Sequence, residues 1–195
     1  MQTLRLLRTW LIGLIVLGPV LYATLARAAG GVPPPGDYAI DAASSIVGFN
    51  VKHFAISSVD GKFTAFSGRV RVGDSLATTH IDATIDTRSI DTGSGMRDKH
   101  LRSADFFDAE RFPTMTFTST QVWGTPDNFG IKGNLTMKGV TKEVVWSARI
   151  LDTGAVVAET KLDRTAFGVT YSGPVGNEVR VHLEIRMVRA AAAVP

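Results

Sequence analysis

Four histidines are the first places to look for chemistry in this 195-residue chain: His53, His80, His100 and His182. No two of them stand at the H-x-H or H-x-x-x-H spacing that aims two imidazoles at one metal. There is no cysteine, so thiolate metal sites, disulfides and a lipid-modified N-terminal cysteine are all excluded. A serine nucleophile of the elbow type needs G-x-S-x-G, and Gly93-Ser94-Gly95 lacks the outer spacing. Asp105 and Asp108 form a close carboxylate pair, but they share their stretch with Arg97, Arg102 and Arg111, and local ion pairing accounts for them. The glycine pairs show no phosphate-binding pattern.

What catalysis remains would fall to His53 or His100 acting as a base on an apolar substrate. His53 shares its strand parity with Val47, Phe49 and Val51, and a buried, hydrogen-bonded core histidine is expected there. His100, between Lys99 and Leu101, reads as a capping or surface residue, and His80 and His182 read as solvated. No constellation calls for an enzyme, and the apolar residues carry the stronger functional signal.

The chain begins with what reads as a targeting segment. Met1 to Ala28 has a basic start at Arg5 and Arg8, an uncharged apolar run from Trp10 to Leu25, and Ala26-Arg27-Ala28 at its end. That is the layout of a cleaved signal peptide, with cleavage expected near Ala28-Ala29. Its run of roughly sixteen residues is short of the ~20 that a spanning helix needs. Three of the 21 basic residues (Arg5, Arg8, Arg27) lie in it, which leaves 18 basic against 18 acidic downstream. The remaining chain is formally neutral, and no basic face for nucleic acid is implied. Residues 29–36 hold three consecutive prolines and read as a polyproline-like linker. A single folded unit is expected over residues 37–189, and residues 190–195 read as a frayed small-residue tail.

Within that unit nearly every segment alternates apolar and polar residues, the period of a strand with one wet face. The last strand is the clearest: Val179, Val181, Leu183, Ile185 and Met187 alternate with Arg180, His182, Glu184 and Arg186. Turns are expected at Asp60-Gly61, around Thr125 to Asn128, at Lys138-Gly139 and at Asp152 to Gly154. A bulge or bend is expected at Gly68, since Phe63 and Phe66 cannot both face one side without a break. Ser89 to Ser119 departs from the pattern. Met96, Leu101, Phe106 and Phe107 come at mixed spacing, which predicts a short helical insertion, with Ser103 as N-cap of a second turn. Phe112-Pro113 ends it. About eight antiparallel strands with one helical insertion predict an all-β domain, closed into a barrel or folded as a sandwich.

The inward set follows from parity. Val181, Leu183 and Ile185 would face Phe49, Val51, Phe63, Ile81, Ile85, Met115, Phe117, Ile131, Leu135 and Met137. These side chains either fill the interior or line a cavity. Gly48, Gly68, Gly133 and Ala83 would leave room in it, and Met115, Met137 and Met187 are adaptable linings.

Several motifs carry a family resemblance. They are Y-x-I-D (Tyr38 to Asp41), S-x-V-x-F-x-V-K-H (Ser45 to His53), G-K-F-x-x-F-S-G (Gly61 to Gly68) and T-R-S-I-D-T (Thr87 to Thr92). Next come R-D-x-H-L-R-S-x-D-F-F-D (Arg97 to Asp108), F-P-x-M-x-F-x-S (Phe112 to Ser119), G-N-L-T-M-K-G-V-T-K (Gly133 to Lys142) and D-R-T-A-F-G-V (Asp163 to Val169). In this order they resemble the YceI-like family of bacterial polyisoprenoid-binding proteins, from Tyr38 to about Val188. The run Thr170 to Asn177 does not follow the pattern.

The resemblance implies an eight-stranded antiparallel lipocalin-like barrel in the periplasm. It would bind, carry or store a long-chain lipid such as a polyisoprenoid or isoprenoid quinone, with the thirteen inward residues as its lining. It implies no cofactor and no metal, and leaves open a homodimer and transient contact with a membrane or membrane protein. Two other readings stand beside it: an enzyme with a histidine base, and a fully packed, ligand-free barrel of structural or stress-response type.

Overall fold

The structure, a computed structural model, describes residues 31–54 and 57–191. The expected signal segment lies outside the described residues. Twelve strands and one helix follow in chain order: β1 (Gly36–Ile40), β2 (Ile46–His53), β3 (Ser57–Phe63), β4 (Phe66–Val72), β5 (His80–Asp86), β6 (Ile90–Asp91), α1 (Gly95–Arg102), β7 (Thr114–Thr125), β8 (Asn128–Met137), β9 (Val140–Ile150), β10 (Val156–Asp163), β11 (Val175–Ile185) and β12 (Met187–Arg189).

All pair antiparallel in one sheet of order β12-β1-β4-β5-β7-β8-β9-β10-β11-β2-β3-β6. Several of these strands are halves of longer ones. Only Arg186 separates β11 from β12, short turns at 42–44 and 87–89 separate β1 from β2 and β5 from β6, and Thr64-Ala65 separates β3 from β4. Strand β12 pairs with β1 and β11 with β2, while β10 lies on the other edge of β11. With the halves joined there are eight strands, each beside its neighbours in sequence, and the last meets the first. The all-β expectation holds, and the sheet curls around on itself as a barrel rather than splitting into a sandwich.

Local chemistry explains the breaks. Phe63 and Phe66 both face inward, and the two residues between them restore the parity. The bend that they require therefore falls at Thr64-Ala65, not at Gly68, which sits within β4 opposite Ala83. Asp60-Gly61 is not a turn either: it lies inside β3, with Asp60 opposite Asn50 and Gly61 opposite Phe49, and the connection is made beyond His53. Lys138 (φ 49°) and Gly139 (φ 76°) form the two-residue β8–β9 turn, with both residues left-handed as that tight hairpin demands. A register shift in β7 near Thr120 moves the inward parity from Met115 and Phe117 to Val122.

The helical insertion is tied back to the barrel by its polar residues. Buried Asp98 accepts from the Thr92 amide (3.0 Å) and hydroxyl (2.5 Å). Arg97 donates to the Thr92 carbonyl and hydroxyl, both at 2.7 Å, and Arg102 donates to Arg88 O at 3.1 Å. Buried Thr87 fixes the return by donating to Phe112 O at 2.8 Å. Ser103 ends α1 as its C-cap instead of starting a second turn, its hydroxyl donating back to His100 O at 2.7 Å. The Pro-rich segment is more than a linker. Pro34 O accepts from the Tyr38 hydroxyl, Pro35 O accepts from Arg189, and Ala190 N donates to Asp37 O.

Candidate functional site

A cavity of about 270 Å³ runs inside the barrel. All thirteen residues predicted to face inward line it: Phe49 and Val51 from β2, Phe63 from β3, Ile81 and Ile85 from β5, Met115 and Phe117 from β7, Ile131, Leu135 and Met137 from β8, and Val181, Leu183 and Ile185 from β11. The wall is carbon almost throughout. Among the described residues, Ser67, Thr79 and Arg164 alone bring a hydroxyl or a charge to it.

Burial divides this lining in two. Phe63, Met115, Ile131, Leu135 and Met137 are buried, while Phe49, Val51, Ile81, Ile85, Phe117, Val181, Leu183 and Ile185 are only half-buried although they face inward. A fully packed barrel would bury both sets.

The glycines do not supply room in the way expected. A Cβ on Gly133 would strike the Phe117 ring at 2.5 Å, and one on Gly68 would strike Ile40 Cδ1 at 2.5 Å. On Gly61 it would meet the Phe49 ring at 2.2 Å. The space that these glycines leave is occupied by the neighbouring side chain: the Phe117 and Phe49 rings lie against the backbone at Gly133 and Gly61, and Ile40 fills the place at Gly68. Gly48 is a correction of a different kind, because its Cβ would meet the exposed His182 ring on the outer face, at 2.2 Å.

The end of the barrel nearest α1 is stoppered by Leu101, Phe106 and Phe107, which line the cavity there. Phe107 stands edge-on to Phe63 at 5.9 Å between ring centroids, and Phe106 packs on Tyr171 at 4.7 Å. Tyr171 belongs to the run 170–177 that departs from the family pattern.

Buried Arg164 holds that run in place. Its Nε donates to Gly176 O (2.9 Å), Nη1 to Val169 O (2.5 Å), and Nη2 to Tyr171 O, Val175 O and Asn177 Oδ1 at 2.9–3.1 Å. Loss of water around the guanidinium lowers its pKa, and the nearby charge of Asp163 opposes that shift. Asp163 itself is exposed and held below its usual value, chiefly by the Thr165 hydroxyl and then by the Thr165 amide. Sequence reasoning missed Arg164. The signal was an arginine directly after the strand that ends in Leu162-Asp163, within D-R-T-A-F-G-V.

It also missed Trp146. This residue shares β9's inward parity with Val144 and Ala148, is 7 % exposed and lines the cavity.

The histidines gather nowhere. His53 is half-buried and outside the cavity lining, with its ring edge-on to exposed Phe54 at 4.5 Å. The expectation of a buried, hydrogen-bonded core histidine therefore fails: β2 reaches past the barrel interior at that point. His100 is bound to Asp105 (3.0 Å), and His80 lies 3.2 Å from Asp82, all largely exposed. Asp108 pairs with Arg111 at 3.2 Å, as local ion pairing predicts. Among the described residues no group of three histidines and carboxylates is placed to hold a metal, and no helix is long and apolar enough to cross a membrane.

Comparison with known proteins agrees with this architecture. The model of the YceI-like domain matches residues 38–187. Protein YceI of Escherichia coli is 34% identical over 181 residues, covering 86% of this chain and 94% of its own. A UPF0312 protein of Vibrio vulnificus is 33% identical over 162 residues, covering 76% and 86%. Among solved structures, BcnA of Burkholderia cenocepacia superposes with a TM-score of 0.70 at 24% identity, covering 76% of this chain and 99% of its own. A polyisoprenoid binding domain from Saccharophagus degradans superposes with a TM-score of 0.61 at 15% identity, covering 78% and 98%. The sequence match across the whole barrel, and the fold shared with these structures, place the chain in the YceI-like family.

Proposed function

We propose that this protein binds a long-chain apolar lipid, of polyisoprenoid type, inside the barrel and carries or stores it in the periplasm. The observation that supports this most is the half-buried inward set. Eight apolar side chains face a cavity whose wall offers almost no polar partner. Such a surface gains by removing hydrocarbon from water, roughly 0.8 kcal/mol for each methylene buried. The fold shared with a structure described as a polyisoprenoid binding domain supports the same ligand class.

The cavity volume lies just under the ~300–1,000 Å³ usual for small-molecule sites. A cavity of that size holds only part of a long chain, and the adaptable Met187 is among the residues that line it. The signal-peptide pattern of residues 1–28 in the sequence supports the periplasmic placement. The protein acts by binding and not by turnover: its histidines are scattered over the surface, away from the cavity lining.

Organic extraction of the protein, purified without detergent, tests the reading. A long-chain lipid should be released, and the stripped protein should take it up again. Folded protein that releases nothing and rebinds nothing would defeat the carrier and favour a structural barrel. An intact mass for the exported form that still includes residues 1–28 would defeat the export step.

A further inference from the structure

Among the described residues, one buried side-chain polar atom has no partner, and it belongs to a residue that lines the barrel. Trp146 Nε1 is buried and makes no hydrogen bond. The indole N–H is a donor only, and a buried donor without an acceptor is costly enough that nearly all are paired. Strand alternation fixes its side: Val145, its neighbour, is 50 % exposed on the outer face, so Trp146 projects inward among the lining residues. Its nearest aromatic neighbour, Phe117, is edge-on at 84° with centroids 6.2 Å apart, near the outer limit of such contacts and a weak substitute for an oxygen. The wall around it is hydrocarbon: Ile131 lies opposite on β8, and Met115 and Leu135 share the same core.

We infer that Trp146 Nε1 is a hydrogen-bonding subsite within the apolar cavity, and that the lipid bound there carries an uncharged acceptor oxygen, a carbonyl or ether, at the depth of Trp146. The inference rests on the lipid-binding reading above and adds to it the chemistry and depth of the ligand's polar group. An indole N–H satisfies one neutral acceptor and brings no charge. A carboxylate or phosphate at that depth would be an unpaired buried anion, which such a wall disfavours strongly. The donor therefore selects a neutral oxygen-bearing lipid over both a bare hydrocarbon and an acid.

The test uses stripped protein and two probes, a long-chain methyl ketone and the alkane of the same chain length. Wild type should prefer the ketone by about threefold to tenfold, the range that one net hydrogen bond supplies. Trp146→Phe keeps an aromatic ring but removes the N–H, and should lose or reverse that preference, because the ketone oxygen would then be buried without a donor. Should that variant fail to fold, the wild-type ¹H–¹⁵N spectrum decides instead. The Trp146 indole resonance should move downfield with the ketone and not with the alkane, while that of Trp123, 41 % exposed, stays put as internal control. Equal binding of both probes by wild type, or an indole resonance indifferent to the ketone, would overturn the subsite and leave the lipid cavity standing. Binding of neither probe would overturn both.

Discussion

Two walls of the same barrel share a sequence pattern but not a state of packing. On β8 and β9 the inward residues Phe129, Ile131, Leu135, Met137, Val144, Trp146 and Ala148 are all buried, none more than 8 % exposed, and Ile150 at the end of β9 is half-buried. On β2 and β11 the inward Phe49, Val51, Val179, Val181, Leu183 and Ile185 are half-buried, and Val47 near the start of β2 is buried. Period two is present in both, so parity says which way a side chain points and nothing about whether it meets a neighbour. Residue volume contributes to that but does not decide it alone, since Ala148 is buried and Phe49 half-buried. The packed wall and adjoining β7 carry a tryptophan, two phenylalanines and two methionines that reach one another. The inward face of β11 carries valine, leucine and isoleucine, which stop short of the axis.

The most severe way to break the comparison is to remove what holds the stopper. Arg164→Leu leaves four carbonyls and an amide oxygen without their donor and should cost upwards of about 3 kcal/mol, read as a fall in denaturation midpoint. It should also free the run 169–177, visible as faster amide exchange there than in β8. A melt unchanged by this substitution would mean that the run is held by something else.

Next come alanine substitutions on the two walls. Leu135→Ala, in the packed wall, should lose about 2–5 kcal/mol. Leu183→Ala, beside open space, should lose about 1 kcal/mol or less yet weaken lipid retention, because fewer contacts are removed and the cavity grows. Equal losses in paired urea melts would erase the distinction between the walls. Gly133→Ala asks whether the ring seat matters. Its Cβ would meet both Phe117 and the Thr118 carbonyl at 2.5 Å, so a loss of about 1–3 kcal/mol is expected, together with a smaller lumen.

The smallest effects belong outside. His182→Asp, on the exposed face of β11, should stay within about 0.5 kcal/mol of wild type. Acid should act at the turn after β10 and at Glu178 on β11, the two carboxyls held below their usual values. Asp163 titrates below its unfolded value, so the stability it lends is present above that value and is lost as pH falls through the lower folded one. Thr165→Val removes the main cause of the depression, and the Asp163 carboxyl should then titrate higher, as followed by NMR.

Much of this was legible beforehand because it depends on local pattern. Alternation assigned the facing of all thirteen lining residues, and the glycine and proline signals located the turns at Lys138-Gly139 and Asp152 to Gly154. What escaped depends on partners distant in sequence. Asp60-Gly61 has the composition of a turn but is held in β3 by pairing with Asn50 and Phe49. Gly48 looked like interior room until its opposite number, His182, placed it under a ring on the outside. The missing partner of Trp146 could not be read from sequence at all, because an unsatisfied donor is a statement about every atom around it.

The lipid-binding proposal puts the ligand in the interior of this barrel. Native mass spectrometry of the protein purified without detergent, before and after incubation with a polyprenol, tests it most directly, with Leu183→Asp alongside. The account predicts one long-chain lipid per chain, re-acquired after stripping and absent from a folded Leu183→Asp variant, whose carboxylate would face the hydrocarbon wall. Folded wild-type protein that keeps its bare mass in polyprenol, or a Leu183→Asp variant that carries the lipid as well as wild type does, would contradict it.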